Sequence, residues 1–474
     1  MEAPQFSYVG PLLVAVGLVL FGLTVVAAIV SVKEGERRAA SRMLLMGLLL
    51  LVPYVAAGFI RFPGQEIAAI LLLALPLLAV LAFLVPLGQR SIAEDDTPRH
   101  QIDERDIMFA RYHLVPGTER FDEYYRRNPE KRAPDDRFRS KPGLLGKGAA
   151  YFEPCQFAAA QASFDAVAAF HGILDHEPSS EKIYADPAKM SRFVKMWAHK
   201  LGAVSVGITG LRDYHLYSHI GRNEPYGQPI DLKHKYAIAL TVEMEKEAID
   251  HAPYGPTVME SAQQYLAAGA IAVQIAEFIR KLGYPARAHI DGNYRIVCPL
   301  VARDAGLGEI GRMGLLMTPG LGPRVRLSVV TTDLPLVTDT RTRDYSVIDF
   351  CRQCTKCAVV CPSKAIPSGD RCEIDGVRRW QIDSEACFTF WCSSGTDCAR
   401  CVRVCPYSHP DNLFHNIIRF GVRNSALFRV FARKMDDLVY GRKPLPVAVP
   451  EWMRMGRPST VSIAQGSSDK KRIL

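Results

Sequence analysis

Residues 351–362 read CRQCTKCAVVCP, four thiols and a proline within a dozen positions. Cys351, Cys354, Cys357 and Cys361, followed by Pro362, fit the run C-x2-C-x2-C-x3-C-P. In that run three closely spaced thiolates cap one face of an iron–sulfur cubane and the fourth reaches a second cluster. A zinc site takes two C-x2-C pairs and has no use for a third thiol at the same interval. A second run, CFTFWCSSGTDCARCVRVCP at 387–406, ends in Cys398-x2-Cys401-x3-Cys405-Pro406 and repeats the last part of the first. Two 4Fe-4S clusters are therefore expected in a ferredoxin-like module. By the crossing rule Cys405 completes the set of Cys351, Cys354 and Cys357, while Cys361 joins Cys398 and Cys401. The second set needs one more upstream thiolate, which either Cys387 or Cys392 can supply. Cys372 is spare, and Cys155 and Cys298 read as small buried apolar side chains.

The rest of the chain says where such a module works. It has 474 residues, a formal net charge of +9 and 12 Cys, enough length for several domains. Its apolar residues are unevenly spread. Runs at 11–32, 43–60 and 67–87 are each near the roughly 20 residues a helix needs to cross a bilayer. Lys33, Arg37, Arg38 and Arg42 fill the first loop, and Arg90, Arg99 and Arg105 follow the third run. The other side has only Arg61 and an N-terminus, MEAPQFSY, without a basic side chain. The positive-inside rule then places the N-terminus outside an inner membrane and everything after residue 90 in the cytoplasm. The start lacks the charge of a cleaved signal peptide, and Arg37-Arg38, lying between two spanning segments, reads as topology charge. The first histidine is His100, so no haem can sit between paired histidines inside this anchor. Many thiols in a reducing compartment favour metal over disulfides, and the basic residues near the anchor suit acidic lipid head groups.

Four parts follow: a three-helix transmembrane anchor (1–92), an α/β core (93–340), the two-cluster module (341–412), and a C-terminal helix packing on the core with a disordered tail (413–474). The segment up to about residue 145, dense in Arg, Asp and Pro, reads as extended chain lying over a domain. Periodicity predicts helices at 157–174 and 260–284, strands at 203–209, 235–244, 295–301 and 324–334, and one amphipathic basic helix over 412–441. Gly306-Leu-Gly308-Glu-Ile-Gly311 matches G-x-G-x-x-G, but turn residues rather than a helix follow it, which argues against a dinucleotide fold.

Two clusters define an electron conduit rather than a reaction. The stretch AGLGEIGRMGLLMTPGLGPRVRLSVVTTDLPL (305–336), FIRKLGYPARA (278–288), the segment 107–145, MDDLVYGRK (435–443) and both cysteine motifs together resemble the cobalamin-dependent reductive dehalogenases. In its cysteine motifs and glycine-rich core the chain is also similar to epoxyqueuosine reductases. The resemblance implies a nitroreductase-like α/β core that buries a base-off corrinoid, with Gly306, Gly308, Gly311, Arg312 and Thr318 around the cofactor. It implies no histidine beneath the metal, in keeping with the lack of D-x-H-x-x-G; DYHLYS (Asp213, His215) has Ser218 where Gly belongs. It favours Cys387 over Cys392. It also implies Tyr265 as proton donor, Arg324 as its basic partner and Asn293 as a polar pocket residue. Read without the resemblance, Tyr265 is a core aromatic, Asn293 a turn residue, and Arg324 a surface residue with Arg312 or Arg326 as the partner.

Reductive dehalogenation takes two electrons and a proton and releases a halide, so the protein must supply a proton donor and positive groups to the reducing cofactor. The expected substrate is an organohalide, a halogenated aromatic or phenol. The expected electron source is a membrane quinol or a soluble ferredoxin or flavodoxin. Respiratory members of the family usually carry a twin-arginine signal and a separate anchor protein, whereas here an anchor is fused, which points to a cytoplasm-facing enzyme. The alternatives are an epoxyqueuosine reductase-like enzyme acting on tRNA, although no nucleic-acid partner is expected, and a membrane-bound electron-transfer subunit. The remaining histidines show no metal spacing and read as structural.

Overall fold

The computed structural model describes residues 9–60, 63–86 and 96–453. The N-terminal octapeptide, Arg61, Arg90 and the tail expected to be disordered lie outside the described residues. Three helices, α1 (Val9–Lys33), α2 (Arg37–Phe59) and α3 (Gln65–Leu84), are each long and apolar enough to cross a membrane. Small residues let α1 and α2 pack closely. A Cβ on Gly17 would lie 2.6 Å from the Tyr54 Cβ, and one on Gly47 would lie 2.0 Å from Thr24 Oγ1. Tyr54 Oη donates to the Leu72 carbonyl (2.8 Å) and ties in α3.

Among the described residues, the rest of the chain meets this bundle at one end. Glu34 in the α1–α2 turn pairs with His415, Arg42 near the start of α2 donates to the Leu438 carbonyl, and Asn424 donates to the Leu84 carbonyl at the end of α3. The α1–α2 turn and the end of α3 therefore lie at the same end of the bundle.

Among the described residues the strands are β1 (Ser205–Gly210), β2 (Tyr236–Glu243), β3 (Ala286–His289), β4 (Glu309–Ile310), β5 (Leu316–Met317), β6 (Val325–Thr332), β7 (Cys372–Ile374) and β8 (Val377–Arg379). β1, β2, β6 and β3 form one sheet in that order, antiparallel throughout, while β4–β5 and β7–β8 are separate hairpins. Strands and helices alternate as expected, but every pairing in the sheet is antiparallel. The long central helix, Gly255–Lys281, lays Ala268, Ile271, Ala272, Ile275 and Ile279 on one face of the sheet, against Ile238, Leu240 and Val330. The other face, with Ala237, Ala239 and Val329, is covered by Val301 and Ala302. A sheet buried on both sides explains why β2 is apolar at consecutive positions.

Three expectations about elements are corrected. The charged stretch before residue 145 is not extended: it folds as helices Met108–Tyr112, Glu119–Arg127 and Arg132–Arg139. Their buried side are Phe121, Tyr124, Tyr125 and Phe138, an aromatic face hidden in the sequence by the surrounding charge. The strand expected at 295–301 is instead occupied by the start of a helix, Cys298–Asp304, because Pro299 cannot donate to a ladder but fits a first helical turn. The single helix expected over 412–441 is two, Leu413–Asn424 and Ala426–Val439, broken where Ser425 caps the second. Both dock against the anchor and the helix carrying Cys351, not only against the core.

Arg111 pins the first of these corrected segments to the cysteine module. It is 1% exposed and pairs with Asp135 (2.9 Å) and with Glu385 (2.7 Å), which lies two residues before Cys387. Replacing Arg111 by Ala leaves the Asp135 carboxyl buried without its cation. The expected loss is about 3–5 kcal/mol, read as a clear fall in thermal midpoint of the detergent-purified protein; an unchanged midpoint would contradict this account of the pair.

Candidate functional site

The cysteines are delivered by short helices separated by left-handed turns. Cys351 and Cys354 end the helix Tyr345–Cys354, Thr355 turns at φ 56°, and Cys357 lies on Lys356–Val360. Cys398 and Ala399 turn at φ 61° and 47° ahead of the helix with Cys401. All twelve thiols are free. Judged by which thiols act on each other electrostatically, they fall into two groups. Cys405 is influenced by Cys351, Cys354 and Cys357. Cys387 is influenced by Cys398 and Cys361, and Cys401 by Cys398, Cys387 and Cys361. Cys401 also feels Cys357, so the groups adjoin. Cys392 is fully buried among Phe138 and Phe388 and belongs to neither.

The spacing of the sulfurs bears on the metal. Thiolates on one zinc, at the usual Zn–S length, stand about 3.8 Å apart. Among the described residues no three cysteines bring their sulfurs within 4.8 Å of one another; the one such metal-capable group is Glu34, His409 and His415. The wider spread fits a cubane's corners. Chiefly through burial, the thiols of Cys354, Cys357, Cys387 and Cys398 are pushed up to about 12. Ionising them as ligands therefore needs the positive charge of iron.

The glycine-rich motif builds a hairpin rather than a phosphate loop. Gly306, at φ 80°, ends the helix Cys298–Asp304, and the Leu307 amide returns to the Ala302 carbonyl. A Cβ on Gly308 would lie 2.2 Å from the Met317 carbonyl oxygen across the β4–β5 hairpin. Gly311 faces Met317 and approaches the Cys351 sulfur, 3.7 Å from a Cβ placed there. Arg312 donates to the carbonyls of Cys351 (3.0 Å) and Pro367 (2.8 Å) and stacks on Trp380, so its guanidinium is spent on the cysteine loop. Thr318 Oγ1 donates to the Gly322 carbonyl (3.0 Å). Of these five residues only Gly311 lines a cavity described below.

Tyr265 projects from the central helix into a cavity of about 190 Å³, whose walls include Tyr217, Tyr294, Cys298, Leu315 and Arg326. Arg324 is not its partner. Arg324 is 1% exposed and donates to Glu243 and to the carbonyls of Met244 and Ser408, tying β2 to the segment after Cys405. The cation over the Tyr265 ring is Arg326, 4.8 Å from the centroid. Arg326 pairs in register with Val242 on the sheet face that the central helix covers. It also donates to Ser261 and to Asp397 (2.9 Å), the residue before Cys398. Burial pushes the Tyr265 phenol up; Arg326 opposes this while Asp291 and Asp397 add to it. The cation thus lowers the phenol as expected of a partner, but burial prevails. Asn293 turns to Arg287, whose guanidinium donates to its Oδ1 (2.7 Å), and it does not line the cavity.

A second cavity of about 280 Å³ lies across the β4–β5 hairpin and shares Pro299 with the first; Arg303, Arg341, Glu309 and Trp380 line it. Apolar and aromatic walls beside an arginine-rich extension suit a large flat cofactor bearing amides and a phosphate. Neither cavity has a histidine in its lining, and His215 is taken up by Asp304 (2.9 Å). The aromatic walls and the arginine-rich extension are the features that fit a corrinoid here.

Sequence reasoning missed Arg326 as the favoured cation, along with Asp397, Tyr217 and Tyr294. Strand alternation alone does not separate Arg326 from Arg324, two residues earlier; Arg324 lies just before β6 and is taken up by Glu243, Met244 and Ser408, whereas Arg326 lies within the strand over the Tyr265 ring. Cys155 is exposed rather than buried, and Cys298 is buried but opens onto the cavity. Two of the histidines that show no metal spacing in the sequence, His409 and His415, meet Glu34 beside the apolar helices.

Residues 350–409 match the 4Fe-4S dicluster domain family. The tetrachloroethene reductive dehalogenase of Sulfurospirillum multivorans is 32% identical over 306 residues, covering 57% of this chain and 60% of that protein. The chain thus matches less than two thirds of that relative's length. An epoxyqueuosine reductase of Bacillus anthracis is 31% identical over 90 residues, 19% of this chain and 20% of that one. In fold, the chain superposes on a catabolic reductive dehalogenase with a TM-score of 0.60 at 24% identity, covering 75% of this chain and 49% of that one. The same neighbour has been solved in complex with 3-bromo-4-hydroxybenzoic acid. The resemblance first carried by the cysteine runs and the glycine-rich stretch is borne out: over part of its length the chain is similar to the reductive dehalogenases and, over a shorter stretch, to an epoxyqueuosine reductase.

Proposed function

We propose that this protein is a membrane-anchored reductive dehalogenase that converts an organohalide, two electrons and a proton into the hydrogenated product and a halide ion. The observation that carries the reading is the line from Tyr265 through Arg326 and Asp397 to Cys398, which joins an aromatic cavity to a set of cluster thiols. Cys351, Cys354, Cys357 and Cys405 hold one 4Fe-4S cluster, and Cys361, Cys387, Cys398 and Cys401 the other. Cys401 feels Cys357 as well as its own set, so the two sets adjoin.

When bound, a reduced corrinoid supplies reducing power that no side chain has. The chain's own residues do the rest. Tyr265 donates its phenolic proton to the carbon that loses the halogen. Arg326 faces the phenolate left behind and supplies positive charge where the halide departs. Tyr217 and Tyr294 give flat walls, which favours a halogenated aromatic or phenol over a small haloalkene. Electrons enter from a membrane quinol or a soluble ferredoxin or flavodoxin. In this reading the protein lies in the inner membrane with its body facing the cytoplasm, which the basic residues beside the apolar helices support.

Protein purified without oxygen, after expression with cobalamin supplied, is expected to contain about one corrinoid per chain and to release halide from halophenols with a chemical reductant. Tyr265→Phe is expected to lower kcat by about 10²–10⁴-fold with the corrinoid retained. Folded, iron-loaded protein without corrinoid would sink the reading and leave an electron-transfer subunit in front.

The pH dependence has a definite sign. A phenol held above its ordinary value stays protonated through neutral pH, so proton donation should be flat there and fail only above about pH 10. A donor limb near pH 7 that disappears in Tyr265→Phe would show that the phenol is lowered instead.

Cys387→Ser should remove about half of the bound iron and one cluster signal by electron paramagnetic resonance, whereas Cys392→Ser should keep both. The reverse result would assign the upstream ligand to Cys392.

A further inference from the structure

The geometry points to a quinol-oxidising site at the seam between the anchor and the cysteine module, where His409 takes the protons and the cluster held by Cys351, Cys354, Cys357 and Cys405 takes the electrons. This deepens the proposed function by naming the electron donor, and it rests on the reading of those cysteines as ligands.

An apolar cavity of about 110 Å³ lies between α2 and the helices Leu413–Asn424 and Ala426–Val439. Its size is near the roughly 150 Å³ of apolar cavities that take up benzene. Met43 of α2 enters its wall from the membrane side, together with Phe414, Ile418 and Phe431. The two helices that frame it expose Leu413, Ile417, Phe420, Leu427 and Phe431, and Phe83 near the end of α3 packs on Phe420 and Phe428. They therefore lie as an amphipathic pair at the head of the anchor, where a bilayer-borne molecule enters without crossing water. The inner wall holds Phe350 and Pro406, each next in sequence to a cluster cysteine.

The polar end of this cavity is unpartnered. Tyr407 Oη and His409 Nδ1 are buried without a hydrogen-bond partner. His409 Nε2 faces Asp436 Oδ1 at 3.4 Å, so donating there leaves Nδ1 with a free lone pair. The ring is held by parallel stacking on His415 (4.5 Å, 3°), itself fixed by Glu34 at 3.0 Å. His409, Asp436 and Tyr440 also line a separate polar cavity of about 850 Å³ that includes Glu34, Lys246 and Arg403. These three residues are thus a wall between an apolar chamber on the membrane side and a charged one on the body's side.

A quinol ring in the apolar chamber has an acceptor at His409 and a polar contact at Tyr407. Its two O–H bonds break in turn: each proton passes to His409 Nδ1 and out by Asp436 to the charged cavity. Each electron passes singly to the oxidised 4Fe-4S cluster, which becomes reduced and hands it on. The quinol leaves as quinone. Other electron carriers lack this fit, since a soluble protein donor needs no apolar chamber opening toward the spans.

The test uses the full chain, iron-loaded, in nanodiscs. A short-tailed azidobenzoquinone should photolabel peptides from 406–440, competed by decylbenzoquinone. Decylbenzoquinone should also reoxidise dithionite-reduced clusters with saturable kinetics. Ile418→Trp, which fills the chamber, and His409→Gln should each weaken labelling and slow reoxidation by about tenfold or more, with iron content and reduction by dithionite retained. Label elsewhere, variants that behave as the wild type, or a stoichiometric metal ion held by Glu34, His409 and His415 that quinone does not displace would overturn the site. Corrinoid content and halide release with a chemical reductant report on the dehalogenase reading separately. Quinone bound without corrinoid sinks that reading alone, and halide release with an unlabelled chamber sinks this one alone.

Discussion

A buried arginine holds the working parts of this molecule together. Arg326 leaves the sheet on the face that the central helix covers, lies over the Tyr265 ring and bonds to Asp397 beside Cys398. A guanidinium with five donors in a plane can satisfy a carboxylate, a hydroxyl and an aromatic face at once, which an ammonium cannot. The cavity wall, the helix and the cysteine loop are thereby placed relative to one another by one side chain. Arg312 does the same on the other side of the hairpin, bonding the first cysteine loop and stacking on Trp380. Two arginines thus tie the cysteine module to the core.

The thiol sets follow from that placement. Each cysteine run needs residues in the left-handed region, Thr355 in the first and Cys398 and Ala399 in the second, to turn successive sulfurs inward. Such turns are costly for residues other than glycine and persist where surrounding contacts over-determine them. Burial then raises the thiols, so ionising them takes a compensating positive charge. The anchor joins this arrangement through Glu34 and His415, and the body meets the bundle through the end where both its first loop and its last span emerge.

Much of this was legible in the linear chain because the signals are local. A C-x2-C-x2-C-x3-C-P run, an apolar stretch of bilayer length and basic residues beside it each constrain structure within a few turns of chain. The grouping of Cys405 with the first run and of Cys361 with the second also followed from local spacing. Failures came where local character misleads. Charge around Phe121 and Tyr124 disguised amphipathic helices as extended chain, and a β-like run with Pro299 at its centre became a helix.

By itself the sequence determined the three long apolar helices, the cysteine runs and the amphipathic and buried elements, since those rest on periodicity and spacing that act over short distances. Only the tertiary structure decided which cation faces Tyr265, that Cys387 rather than Cys392 joins the other thiols, and that Glu34 meets His409 and His415 across more than 370 residues of chain. Strand register and helix docking set those contacts, and neither leaves a mark at any fixed separation along the chain.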